Sequence, residues 1–141
     1  MIESLSTWEK IKTDVLIVGG GFGGLWASIK AVDSGCKVTL VEKSFAGKCG
    51  HSYFAGGASQ VLLPEDEIDD YVYDITLGNE WIVDQNMIRA VFEGSYQRLK
   101  DYEAFGINFQ KDKNGYVWTK ARGTQNVKNI WPQHATGATM L

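Results

Sequence analysis

Asp14-Val15-Leu16-Ile17-Val18-Gly19-Gly20-Gly21-Phe22-Gly23-Gly24 is the stretch on which the reading of this chain turns. Val15 to Val18 is a short, mostly β-branched apolar run that passes straight into glycines. Such a run fits a parallel strand buried on both faces. From Leu25 to Ser34 the residues Leu25, Ile29 and Val32 recur at helical spacing, and Gly35 supplies the stop. Lys37-Val38-Thr39-Leu40-Val41 then reads as a second strand. Strand, helix and strand in close succession make a βαβ unit over 14–43, with a right-handed crossover and parallel strands.

The glycines fall as G-x-G-x-x-G at Gly19, Gly21 and Gly24. In a dinucleotide-binding turn the first permits the tight exit from the strand. The second lets the backbone approach a pyrophosphate, and the third lets helix and strand pack closely. Around Phe22 and Gly23 the free amides of the helix start, aided by the helix dipole, face negative charge. The motif alone is common. Its place between a strand and a helix gives it weight, as does Glu42 at the end of the second strand, about 20 residues on. A carboxylate there accepts hydrogen bonds from ribose hydroxyls and repels a 2′-phosphate, which argues against NADP. Lys43 and Lys48 are candidate phosphate contacts or plain surface lysines.

Outward from this unit the patterns weaken. Ser44 to Ser59 is rich in Gly, Ala and Ser without a clear period, so 44–63 is expected to be a loop or a loop leading into a helix. The segment 64–109 is expected to be helical. Pro64-Glu65-Asp66-Glu67 looks like a helix start, Ile68, Val72 and Ile75 form a stripe, and Gly78-Asn79 ends it. Asp84 is the expected N-cap of a further helix. That helix should carry Ile88, Val91, Phe92, Leu99 and Tyr102 on one face and end at Gly106. In 110–141, Lys113-Asn114-Gly115 reads as a turn into a strand over Tyr116 to Thr119. Arg122 to Gln133 reads as irregular, and Ala135 onward as the start of another helix.

Composition limits the partners. The 141-residue chain has a net charge of -3 with 22% charged residues, so it lacks the basic footprint of a nucleic-acid binder. No stretch is long and apolar enough to span a bilayer, and residues 1–13, an N-terminal extension, carry no apolar leader. Cys36 and Cys49 lack C-x-x-C spacing. Reduced thiols and a cytoplasmic location are expected, with Cys36 a small core residue and Cys49 inert or redox-active. No metal site is expected.

Beyond the βαβ unit the sequence resembles a known family. Asp14 to Gly21, continuing through Glu42-Lys43, looks like the N-terminus of flavoproteins with two dinucleotide-binding domains. Gly50-His51-Ser52-Tyr53-Phe54-Ala55-Gly56-Gly57 resembles the loop after the ribose acid in the fumarate reductase and succinate dehydrogenase flavoprotein superfamily. There a small hydroxyl residue is followed three positions on by alanine and then a Gly-Gly pair. Ser52 and Ala55 fit, while only Gly57 of the pair falls in register. Asp84, Leu99, Gly106, Ile107 and Phe109 match a further family segment, and His134-Ala135-Thr136-Gly137 resembles the stretch before the next FAD-contacting helix.

The resemblance implies that 14–141 is the N-terminal portion of an α/β, Rossmann-like FAD-binding domain, a βαβ unit with a following helical segment, incomplete without downstream sequence. The cofactor it implies is FAD. The cofactor residues it implies are Gly19, Gly21, Phe22, Gly23, Gly24, Glu42, Lys43, His51, Ser52, Ala55, Gly56 and Gly57. Family members with covalent FAD attach it to a histidine just before the hydroxyl residue, and His51 falls there by register. Lys48-Cys49-Gly50 departs from the family's Arg-Ser, which leaves a non-covalent pocket residue as the other role. Ser52 is either a flavin or pyrophosphate ligand or a helix cap. Arg122 and His134 lie near flavin and substrate in the family, with ordinary loop polarity as the alternative.

The implied activity is hydride exchange between FAD and a small organic substrate. The implied partners are the remainder of the flavoprotein and an iron-sulfur or other electron-transfer subunit. L-Aspartate oxidase-like and adenylylsulfate reductase-like flavoproteins are further members of the same class. A split or truncated cofactor-binding module and an NAD-binding module are the other readings. The catalytic acid is not assigned.

Overall fold

The computed structural model describes residues 10–48 and 50–133. Most of the N-terminal extension, Cys49, His134 and the helix expected from Ala135 lie outside the described residues. The chain forms two compact units, Met1–Tyr53 and Phe54–Leu141.

In the first unit, β1 (Val15–Val18) and β2 (Val38–Val41) pair in parallel, with Val15 opposite Val38 and Val18 opposite Val41. Between them runs α1 (Phe22–Asp33), starting on the glycines rather than at Leu25. Its end is chemically complete. Gly35, at φ +83°, lets its own amide reach the carbonyl of Val32 (2.8 Å) and that of Cys36 reach Ala31 (3.0 Å). This is a Schellman motif, which satisfies carbonyls the helix leaves open. The expectation of a strand buried on both faces is not met: Leu16 and Val18 are 60% and 79% exposed. In β1 only alternate residues are partly covered, so the apolar run is half-buried. Cys36 is likewise only partly buried, not a core residue. The short α2 (Gly50–Phe54) lies within 44–63, the region expected to be a loop or a loop leading into a helix.

The second unit packs α3 (Ile68–Gly78) and α4 (Gln85–Ala104) beside a three-stranded sheet. Its strands are β3 (Ser59–Gln60), β6 (Trp118–Lys120) and β7 (Lys128–Ile130), in the order β3-β7-β6 and all antiparallel. A hairpin of β4 (Lys111–Asp112) and β5 (Gly115–Tyr116) turns at Lys113-Asn114, so the single strand expected over Tyr116–Thr119 is divided at Val117. The core gathers Tyr71, Phe92, Ala121 and Val127, with the ring of Tyr71 edge-on to that of Phe92 at 5.0 Å.

Three further expectations change here. The helix begins at Ile68, not at Pro64, because the Asp66 carboxylate accepts from the amide of Leu63 (3.0 Å) and holds a turn instead. Such local side-chain bonds compete with the helix. Val91 is 60% exposed, and Ser95 takes the buried place between Phe92 and Leu99. The segment expected to be irregular, 122–133, contributes the central strand β7. Asp84 caps α4 as expected, accepting from the amides of Asn86 (2.9 Å) and Met87 (3.2 Å).

Two carboxylates organise the polar parts of this unit. The buried Asp74 accepts from the amides of Gln125 (2.8 Å) and Asn126 (2.6 Å), fixing the turn before β7. Glu103 accepts from Lys111 (2.6 Å), Tyr116 (2.7 Å) and Lys100 (3.1 Å). Burial by itself raises the Glu103 carboxyl, but those three donors outweigh it and hold the group at about 2, below the ordinary 4.5. A carboxyl lower in the folded chain than in the unfolded one stabilises fully above the unfolded value and loses that contribution as pH falls. Urea midpoints should therefore drop between pH 4.5 and about 2. Glu103→Gln should flatten that drop; an unchanged profile would assign it to other carboxylates.

Candidate functional site

The glycine turn is built by its neighbours as much as by its own sequence. Gly19 has φ +107°, a conformation that side chains other than glycine rarely adopt, and its amide donates to Val41 (2.8 Å). The turn is thereby bound to the end of β2. A Cβ on Gly24 would lie 1.8 Å from the Gly19 carbonyl oxygen, which is the close helix-to-strand packing expected of the third glycine. Gly21 is the N-cap of α1 and has no side-chain bond of its own. The amides of Gly21, Phe22, Gly23 and Gly24 stand at the positive end of the helix, where the helix itself supplies no acceptors.

Ser52 comes from α2 to this helix start. Its Oγ accepts from the Phe22 amide (3.2 Å) and lies 3.2 Å from where a Gly21 Cβ would stand. Ser52 is thus not the N-cap residue itself, which is Gly21, but it binds a first-turn amide from a neighbouring segment, and its hydroxyl proton can still donate.

Glu42 follows directly on β2, with a carboxylate bound at both oxygens. Oε2 accepts from the Gly20 amide (2.5 Å) and Oε1 from the Lys43 amide (2.7 Å). A carboxylate oxygen can accept more than one hydrogen bond, which is the chemistry that vicinal hydroxyls require. Lys43, Lys48 and His51 are exposed. Ala55, Gly56 and Gly57 follow in the second unit, where Gly57 is buried with φ +80°. Arg122 is exposed on the second unit.

Gly20 has no part in the G-x-G-x-x-G spacing, yet it is the buried residue of the turn. A Cβ there would come within 2.8 Å of the Ala46 Cα. The visible signal was the middle one of three consecutive glycines, where the motif asks for none. Gly47, at φ +71°, donates its amide to the Gly20 carbonyl (2.9 Å) and was likewise not foreseen.

The arrangement fits a dinucleotide. It offers side-chain-free glycines beneath an anion, first-turn amides, a hydroxyl beside them and an acid at the end of the next strand. Among the described residues no cluster of His, Cys, Asp or Glu could hold a metal ion, and no helix is long and apolar enough to cross a membrane.

The FAD binding domain family matches residues 14–141. The chain belongs to this family. Its cofactor is FAD. Relatives include the fumarate reductase flavoprotein subunit of Haemophilus influenzae, 26% identical over 125 residues, or 87% of this chain and 21% of the relative. A mitochondrial succinate dehydrogenase (ubiquinone) flavoprotein of Xenopus laevis is 28% identical over 89% of this chain and 20% of its own length. The L-aspartate oxidase of Clostridium perfringens is 27% identical over 88% and 28%. Among solved structures, a mutant of E. coli quinol fumarate reductase FrdA superposes with a TM-score of 0.79 at 22% identity, covering 92% of this chain and 23% of that one. Adenylylsulfate reductase from Archaeoglobus fulgidus superposes with a TM-score of 0.60 at 24% identity, over 84% and 20%. The superpositions speak for the fold alone. This chain spans between a fifth and three tenths of the length of these curated relatives.

Proposed function

We propose that this chain is the FAD-holding part of an oxidoreductase of the fumarate reductase and succinate dehydrogenase kind, acting on a small dicarboxylate. The observation that carries this is the family match across 14–141, together with relatives named for those two activities. FAD, when bound, supplies the hydride chemistry. The chain's own residues bind and orient it. The amides of Gly21, Gly23 and Gly24 face the diphosphate, Ser52 stands beside them holding the Phe22 amide, and Gly19 shapes the turn. Glu42 accepts from the adenosine ribose, and its charge excludes a 2′-phosphate. Lys43, exposed next to Glu42, supplies positive charge near the diphosphate. For Ala55, Gly56 and Gly57 the support is the sequence resemblance. His51 is exposed and serves as a non-covalent contact, so acid precipitation releases the flavin. Electrons pass to or from a partner such as an iron-sulfur subunit.

The test is dye-coupled turnover by the purified protein. Fumarate should reoxidise a reduced viologen dye, or succinate should reduce an acceptor dye. Turnover with L-aspartate or adenylylsulfate instead would move the assignment to those relatives. Bound FAD with no turnover on any of them would assign a cofactor-binding module completed by another polypeptide.

A further inference from the structure

We propose that Gly47 is a positioning residue for the cofactor diphosphate, acting through Gly20 on the amide of Gly21. The proposal rests on the FAD reading of the glycine turn. A trans peptide is planar, and its C=O and N–H point in opposite directions. Fixing the carbonyl of one residue therefore fixes the amide of the next.

Both peptide planes of Gly20 are fixed in this way. In the Gly19–Gly20 peptide, the Gly20 amide donates to Glu42 Oε2 (2.5 Å). Its Gly19 carbonyl points the other way, onto Gly24, where a Cβ would lie 1.8 Å from the oxygen. In the Gly20–Gly21 peptide, the Gly20 carbonyl accepts from the Gly47 amide (2.9 Å). The Gly21 amide therefore faces away from the 46–47 turn. Gly21 is the N-cap residue, whose lack of a side chain leaves its backbone open to a phosphate.

The approach of the two segments is tight. Gly20 is buried, and a Cβ on it would meet the Ala46 Cα at 2.8 Å. Gly47 reaches it with φ +71°, where a β-branched residue is strained and asparagine is tolerated. The Glu42 carboxylate acts on one side of Gly20 and the Gly47 amide on the other. The stretch 42–47 thus sets the orientation of the glycine turn before any cofactor arrives. Preorganisation of this kind raises affinity because the ordering cost is met in folding.

The test is FAD affinity, by flavin fluorescence titration at a temperature well below each protein's melting point, for the native protein and for Gly47→Asn, Gly47→Ala and Gly47→Val. ADP displacement run in parallel reads the diphosphate separately from the flavin ring. The expected order is Asn close to native, Ala weaker and Val weakest by about tenfold or more, for FAD and ADP alike. Should Gly47→Val not fold, the contrast of Ala with Asn carries the test. A purely structural Gly47 would lower melting temperatures while leaving both affinities unchanged, and that result would overturn the proposal. Failure of the native protein to bind FAD or ADP would overturn the site reading as well, so the two failures are distinguishable.

Discussion

Gly24→Ala should strip the protein of FAD. The methyl group would stand 1.8 Å from the Gly19 oxygen and 3.0 Å from its carbonyl carbon, both backbone atoms. No rotamer change can relieve a Cβ contact. Either α1 must move off β1 or the Gly19 peptide must turn. Overpacking of a tight site costs about 1–3 kcal/mol and sometimes more, and here the change falls at the proposed cofactor turn. Moving α1 displaces the first-turn amides, while turning the Gly19 peptide breaks the Gly20 amide from Glu42. An affinity loss of roughly 100-fold corresponds to about 2.8 kcal/mol, at the upper part of that range. Gly94→Ala is the control. It lies in α4, its added Cβ meets nothing within 4 Å, and alanine is the better helix former. That variant should keep its FAD and gain about 0.5–1 kcal/mol of stability. Full FAD occupancy in Gly24→Ala would show that the turn tolerates what its geometry forbids.

Asp66→Ala should be the costliest single change in the second unit. The Asp66 carboxylate accepts from Lys128 Nζ (2.5 Å), from the Tyr71 hydroxyl (2.9 Å) and from the Leu63 amide (3.0 Å). The side chains of Lys128 and Asp66 are only 11% and 12% exposed. Lys128 lies over the Trp118 ring at 4.9 Å and reaches a second acid, Glu65, at 3.3 Å. Burial, followed by the bond to Asp66, raises the Tyr71 phenol far above its ordinary value, so it stays neutral, its single proton serving Asp66 while the Val61 carbonyl lies 3.0 Å away as the alternative acceptor. Removing one partner of a buried pair leaves the other charge uncompensated, at about 3–5 kcal/mol. The melting temperature should fall by roughly 10 °C or more. Replacing both charges by apolar groups, as Asp66→Leu with Lys128→Met, should recover most of the loss. A single-variant cost below about 1 kcal/mol would mean that water or Glu65 replaces Asp66 freely.

The same pair explains what could not be read in the sequence. β7 carries a lysine at a buried position, and Lys128-Asn129-Ile130 has the composition of a loop. It becomes a central strand because Asp66, far away in sequence, neutralises Lys128. Asp66 in turn withholds Pro64-Glu65 from the helix that their composition suggested. Neither effect has a local signature. The βαβ unit was legible for the opposite reason. Its determinants, an apolar run, a glycine spacing, an acid about 20 residues on and a stopping glycine, are all local. The family resemblance drawn from those residues and from the Ser52 loop agrees with the family match. The roles of Gly20 and Gly47 could not be seen, because they depend on one turn folding back onto another.

Non-covalent binding of FAD at the Gly19–Gly24 turn is open to a single spectroscopic test. The most direct measurement is the visible absorption spectrum of the purified protein after FAD addition and gel filtration, repeated on supernatant and pellet after acid precipitation. Flavin bands should travel with the protein, pass into the acid supernatant and be lost in Gly24→Ala. A colourless protein that takes up no FAD, or one whose Gly24→Ala variant holds flavin as firmly as the native chain, would contradict binding at this turn.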